Sequence, residues 1–231
     1  MKLSMTHSEQ PAAVPWPDPQ RKSDFERWLA PLAAQHRLAP ETLRAASADA
    51  SFRRYLRIDS SSRGPSLIVM DAPPPQEDVR PFVKVAQLMQ QAQLHGPQVL
   101  AADVERGFLL LTDLGRTLYL DAFAEASPKQ ADALMRDAIA ALVRWQCRVP
   151  GAELPPYDEA MLRRELQLFP DWCVAREYGV TWSEREQQTW QKVSDVLVHS
   201  ALAQPQVAVH RDWMPRNLMV CDPNPAILDF Q

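Results

Sequence analysis

Apolar residues recur along this chain with two different periods, and the change of period divides it. Phe25, Trp28, Leu29 and Leu32 lie three and four residues apart, the spacing of one helical face. Ser23 and Glu26 form a capping box ahead of them, so a first helix is predicted from there to about His36. Residues 1–22 are polar and proline-rich and predict a flexible N-terminal segment. The stretches 52–58 (FRRYLRI) and 66–70 (SLIVM), separated by the turn-forming SSSRGP, read as strands. Pro73, Pro74 and Pro75 stop the second of them. Val79, Phe82, Val83, Ala86 and Met89 then return to helical spacing, with Pro81 tolerated in the first turn. Two further strands are predicted at 98–101 and 107–112.

The remainder is mainly helical. Ser127, Pro128 and Gln130 make a helix N-terminus, and Leu134, Ala138, Ile139, Leu142 and Val143 form the predicted buried stripe behind it. A second helix carries Leu162, Glu165, Leu166, Phe169 and Trp172. A third opens at Ser183 with Glu186 and is predicted to bury Trp190, Val193 and Leu197. Short strands at 207–210, 218–221 and 226–230 end the chain. This order predicts an α+β fold of two lobes. A strand-rich N-lobe spans 23–112, a helical C-lobe spans 113–231, and a hinge lies near 111–115.

Composition narrows the class. Of 231 residues, 46% are hydrophobic and 23% charged, as in ordinary globular domains. No apolar run is long enough to span a membrane, and the N-terminus lacks the apolar centre of a secretory signal, so a cytoplasmic chain is expected. The net charge is −4 and the basic residues are dispersed, which argues against a nucleic-acid binder. Cys147, Cys173 and Cys221 are odd in number and far apart, so no disulfide framework or zinc site is expected.

The chemistry concentrates near the C-terminus. His210-Arg211-Asp212 is followed five residues later by Asn217, and Asp229-Phe230 closes the next hairpin. An H-R-D-x-x-x-x-N segment followed by Asp-Phe is the pattern of phosphoryl-transfer sites. Such a reaction needs a carboxylate near the attacking hydroxyl and oxygen ligands for magnesium near the nucleotide phosphates. Asp212 follows a predicted strand and suits the first role. Asn217 and Asp229 offer a neutral and a charged hard ligand for the second. His210 and Arg211 read as loop braces, because Asp212 already fills the acid–base role.

The nucleotide end is less distinctive. The segment 48–55 (ADASFRRY) stands where a phosphate-covering loop would be but contains no glycine. Ser51 offers a hydroxyl. Arg53 and Arg54 alternate across a strand, so one of them faces the phosphates. Met70-Asp71 stands where kinases carry a strand lysine, so an arginine is expected to substitute, with Glu77 or Asp78 as its partner.

These segments resemble the aminoglycoside phosphotransferase and choline kinase superfamily, and within it the bacterial anomeric kinases of N-acetylmuramate and N-acetylglucosamine used in cell-wall recycling. The resemblance is carried by ASFRRYLR (50–57), LIVMDAPPPQED (67–78), RPFVKVAQLM (80–89), ERGFLLLTDLG (105–115), HRDWMPRNLM (210–219) and ILDFQ (227–231). It implies a protein-kinase-like fold, ATP and Mg2+ as cofactors, and an amino-sugar acceptor attacking through its C1 hydroxyl. Asp212 would be the base, Asn217 and Asp229 the metal ligands, and the backbones of Thr112 and Leu114 the adenine contacts. Glu165, Trp172 and Arg216 are candidates for the sugar side, although a tryptophan at position 172 reads first as core. A monomer is expected. The superfamily continues past the Asp-Phe-Gln segment with further helices, so the resemblance also implies a C-lobe cut short at Gln231. Two alternatives remain: a kinase of aminoglycosides or choline on the same fold, which would want an acidic pocket, and a non-catalytic nucleotide- or partner-binding chain.

Overall fold

The computed structural model describes residues 14–47, 52–62 and 64–230. They divide into two compact units, one made of the residues up to Leu142 and those from His210 onward, the other of Val143–Val209.

The first unit is built on a five-stranded antiparallel sheet in the order β1-β2-β3-β5-β4. Its strands are β1 (Leu38–Ser47), β2 (Arg54–Ser60), β3 (Ser66–Asp71), β4 (Val99–Asp103) and β5 (Phe108–Thr112). Alternate residues of the inner strands, Leu56 and Ile58, Leu67 and Val69, Phe108 and Leu110, form one core cluster with Phe25 and Leu29 of helix α1 (Pro19–His36). Burying each of these side chains contributes on the order of 2 kcal/mol. Helix α1 starts ahead of the predicted capping box. Asp18 is its cap, accepting from Gln20 N at 2.8 Å, and Pro19 opens its first turn, so Ser23 lies inside the helix.

Helix α2 (Arg80–Gln91) buries Phe82, Val85, Ala86, Leu88 and Met89. Helix α3 (Tyr119–Glu125) follows the 113–118 connector. A two-stranded hairpin, β6 (Leu218–Met219) and β7 (Ala226–Ile227), completes this unit. The strand predicted at 207–210 does not form. Among the described residues its alternating Val-Ala-Val-His pairs with no strand, and pairing rather than alternation makes a strand.

Helix α4 (Pro128–Arg148) begins as predicted, with Ser127 Oγ accepting from Gln130 N and Gln130 Oε1 accepting from Ser127 N. Its buried positions are Ala138, Ala141 and Trp145. Ile139 and Val143, predicted inside, are 56% and 51% exposed. In the second unit, helices α5 (Glu159–Leu168) and α6 (Glu184–Leu202) are joined by the Arg163–Asp195 ion pair at 2.8 Å. Ser183 and Glu186 form the predicted capping box of α6. The stripe behind it is shifted by one position: Ser194 and Val198 are buried, while Val193 and Leu197 are exposed. The chain from Phe169 to Glu177 winds as a π-helix. Phe169 and Trp182 gather around Trp190, with ring centroids 5.3 and 5.8 Å from it.

Candidate active site

The hairpin β6–β7 sets the geometry of the predicted catalytic segment. Asn217 ends a 3-10 turn, Pro215–Asn217, immediately before β6, and Asp229 follows β7. Leu228 N donates to Asn217 O at 2.9 Å, which places the two side chains at the open end of the hairpin. The Asn217 amide nitrogen donates to Asp212 O at 3.0 Å and to Asp229 Oδ2 at 3.4 Å. Asp212, Asn217 and Asp229 are thus brought together. Asp212 and Asp229 are exposed. Two residues of the segment hold left-handed backbone, Arg211 at φ 75° and Asp229 at φ 54°, a conformation uncommon outside glycine and found where surrounding structure imposes it.

His210 is a brace, as its sequence context predicts. It is buried, donates from Nε2 to Leu228 O at 3.0 Å, and meets the Trp213 ring edge-on at 5.2 Å. Burial pushes its pKa below the ordinary histidine value, with the hydrogen bond to Leu228 O and then the Asp229 and Asp212 carboxylates opposing. Phe230 is buried and stacks on Phe82 of α2, ring centroids 4.9 Å apart. That contact ties Asp229 to the start of α2.

The donor set fits a magnesium ion shared with a nucleotide. With its amide nitrogen donating to both Asp212 O and Asp229 Oδ2, Asn217 would offer a cation its amide oxygen, and Asp229 its carboxylate. Among the described residues no three His, Cys, Asp or Glu side chains cluster as a metal set. Two protein oxygens completed by phosphates and water are a usual magnesium arrangement.

On the nucleotide side, Ser51 lies outside the described residues. The two arginines divide. Arg54 forms an ion pair with Asp71, lies over the Trp16 ring at 4.4 Å, and donates to Pro15 O at 2.7 Å. Arg21 of α1 grips the other Asp71 oxygen at 2.6 Å, so the buried Asp71 carboxylate sits between two guanidinium groups. Arg53 pairs with Glu77 at 3.3 Å, just ahead of α2, whereas Asp78 faces Arg80 at 3.5 Å. Thr112 N donates to Gln98 O at 3.1 Å, so this amide is already engaged beside the sheet.

The connector after β5 is held by a network the sequence does not announce. Asp113 accepts from Arg57 at 2.6 and 3.0 Å, from Ser66 Oγ at 2.6 Å and from Gly115 N at 3.0 Å. Burial opposes its ionisation, but these donors outweigh it and hold its carboxyl below the usual value. Leu114 sits within this clamp.

Arg216 is exposed in the turn before Asn217. Glu165 on α5 and Trp172 on the π-helix belong to the second unit. Trp172 is 56% exposed and stacks under Arg176 at 4.1 Å, so it is not the core residue its sequence context suggested.

An antiparallel sheet with helices, and Asp212, Asn217 and Asp229 brought together beside a short hairpin, define a kinase-like α+β fold. The chain belongs to the phosphotransferase enzyme family, whose model matches residues 42–231. It is similar to the N-acetylmuramate/N-acetylglucosamine kinase of Pseudomonas aeruginosa, 56% identical over 192 residues, covering 83% of this chain and 55% of the relative. It is also similar to the proteins of the same name from Pseudomonas putida, 54% identical over 190 residues (82% of this chain, 55% of the relative), and Neisseria meningitidis, 41% identical over 213 residues (92% and 62%). The chain thus spans 55% of the length of the two Pseudomonas relatives. Among solved structures it resembles a streptomycin–ATP–APH(2")-IIa ternary complex, with TM-score 0.59 and 14% identity over 94% of this chain and 71% of the other. A gentamicin–APH(2")-IIa complex gives TM-score 0.61 and 13% identity over the same shares. At such identity the likeness shows the fold alone. Among the described residues no helix is long and apolar enough to cross a membrane.

Proposed function

We propose that this chain carries the core of an ATP-dependent kinase that phosphorylates the C1 hydroxyl of an N-acetylated amino sugar, N-acetylglucosamine or N-acetylmuramate. The observation that carries the reading is the hydrogen bonding of Asn217 to both Asp212 O and Asp229 Oδ2, in a chain whose matched 192 and 190 residues are 56% and 54% identical to two relatives named N-acetylmuramate/N-acetylglucosamine kinase. Asn217 and Asp229 would hold magnesium, which neutralises charge developing on the β- and γ-phosphates when bound. Asp212 orients the acceptor hydroxyl and takes its proton. The bond from the sugar oxygen to the γ-phosphorus forms, the bond from that phosphorus to the β–γ bridging oxygen breaks, and ADP leaves. A hemiacetal hydroxyl is more acidic than an ordinary sugar alcohol, so one carboxylate suffices. Arg53, oriented by Glu77, supplies positive charge to the nucleotide phosphates, and the connector backbone at Thr112 and Leu114 meets the adenine. The expected setting is cytoplasmic peptidoglycan recycling by a monomer.

The test is to incubate the protein with ATP, magnesium and N-acetylglucosamine and follow phosphorus NMR. A sugar 1-phosphate coupled to the anomeric proton is expected, with no product from the methyl glycoside. A 6-phosphate, or equal turnover of the methyl glycoside, overturns the anomeric assignment. Phosphorylation of an aminoglycoside in preference to either sugar would favour the antibiotic-kinase alternative instead.

A further inference from the structure

A hairpin of two-residue strands is too short to fix its own register, because an isolated two-stranded ribbon is marginal in water. Yet this hairpin carries Asn217 and Asp229 at its open end, and a slip of one residue would turn either side chain to the other face. Its register is held at the closed end, remote from the site, by His95 outside the hairpin and by Asn224 within its tip.

On one side stands His95, in the turn after α2. His95 Nδ1 lies 2.5 Å from Pro223 O. A carbonyl only accepts, so Nδ1 carries the proton and donates. The His95 carbonyl accepts from Ile227 N at 2.9 Å, so this one residue grips both the tip and the returning strand. The approach is close: a Cβ at the adjacent Gly96 would stand 3.3 Å from Ile227 O. On the other side stands Asn224. Its amide nitrogen donates to Tyr119 Oη at 2.9 Å and to Asp137 Oδ2 at 2.7 Å, linking the tip to α3 and α4. The carboxylate is acceptor-only, which fixes the amide orientation. Val220 N donating to Thr117 O at 2.9 Å extends the same attachment along β6.

We propose that His95 and Asn224 are positioning residues for the metal–nucleotide site. They act through the hairpin, setting the register that places the Asn217 amide against Asp229. The proposal rests on the reading of Asn217 and Asp229 as metal ligands. Neither residue touches the reacting groups.

Calorimetric titration with ADP, with and without magnesium, tests it without needing turnover. His95→Ala and Asn224→Ala should lower magnesium-dependent ADP affinity about tenfold, the lower end of what loss of a supporting hydrogen bond behind a metal ligand costs. Metal-free ADP affinity should stay at the wild-type value. His95→Asn should recover most of the loss, because its amide nitrogen can occupy the place of Nδ1, and His95→Gln should not. Tyr119→Phe keeps the buried ring and removes only the hydroxyl Asn224 meets, so it should fold and show a smaller loss of the same kind. Equal losses with and without metal, or no loss in any variant, overturn the proposal. A wild-type protein whose ADP affinity ignores magnesium overturns this and the metal-ligand reading together. Wild-type dependence with unaltered variants overturns this alone.

Discussion

Arg57 and Asp113, 56 residues apart in sequence, meet in a two-pronged ion pair of 2.6 and 3.0 Å that fastens the connector after β5 to β2. Both side chains are largely buried, and Arg57 also donates to Gly115 O at 2.6 Å. The connector is therefore a fixed piece of the sheet, which suits a segment proposed to present backbone groups to adenine.

Asp113→Asn should destabilise the protein by about 3 kcal/mol, the scale for removing one partner of a buried pair. The sign of its pH dependence follows from the lowered carboxyl pKa. The ionised form contributes fully above the unfolded value of about 3.9, and the contribution is lost as pH falls through the folded value. Urea unfolding at pH 7 should separate wild type from variant, and the gap should narrow toward pH 3. A gap that stays constant across that range would show that ionisation of Asp113 contributes nothing.

The arginine pair makes a second prediction. Arg54 is held by Asp71, Trp16 and Pro15, while Arg53 sits against Glu77 on the segment that leads through Phe82 to Phe230 and Asp229. Arg53→Met should weaken ATP binding about tenfold and adenosine binding hardly at all, because one charge-assisted hydrogen bond to phosphate is worth about 1.5 kcal/mol or more. Arg54→Met should instead lower the melting temperature and leave the ATP-to-adenosine affinity ratio alone. The reverse pattern would reassign the phosphate contact to Arg54.

The proposed catalytic segment was legible as a candidate because its residue types and spacing are tied to local chain geometry: a turn, a short strand and a return. The strands at 54–60, 66–71 and 108–112 were legible because their apolar character survives pairing on both sides. Strand β1 was not. Its sequence LAPETLRAAS contains a proline and several helix formers, and its extended form comes from pairing with β2, interrupted by irregularities between Ala39 and Arg44 and between Ala45 and Ser47. The helix stripes of α4 and α6 were misplaced because long helices offer more than one apolar face, and tertiary neighbours choose among them. The ion pairs of Asp71 with Arg21, Asp113 with Arg57, and the contacts of Asn224 with Tyr119 and Asp137 join residues 50 to 105 positions apart, and nothing local in the chain marks them as partners.

Asp229 carries a prediction with a built-in control. It is the charged member of the proposed metal pair and sits at φ 54°. Asp229→Ala removes the carboxylate and places a residue of poor left-handed tolerance there, whereas Asp229→Asn keeps the backbone preference and removes only the charge. Both should lose magnesium-dependent nucleotide binding by calorimetry. Only the alanine variant should also lose stability. Unchanged magnesium–ATP affinity in Asp229→Asn would remove Asp229 from the ligand set.

Asp212 is separable from the metal pair because Asn217 binds its backbone carbonyl rather than its carboxylate. Changing the side chain therefore leaves the orientation of the Asn217 amide intact. Asp212→Asn keeps the size and the hydrogen-bonding reach of the side chain but cannot take the proton from the acceptor hydroxyl. Magnesium–ATP affinity should stay within about twofold of wild type, since neither the Asn217 amide nor the Asp229 carboxylate is disturbed. Phosphotransfer to the sugar should fall by about 10²–10⁴-fold, the usual contribution of a positioned general base. The two measurements must be made on the same preparation, because a joint loss of binding and turnover would mean a collapsed site. Turnover near the wild-type rate with binding intact would show that the hydroxyl needs no base at this position, and that catalysis rests on positioning and the metal alone.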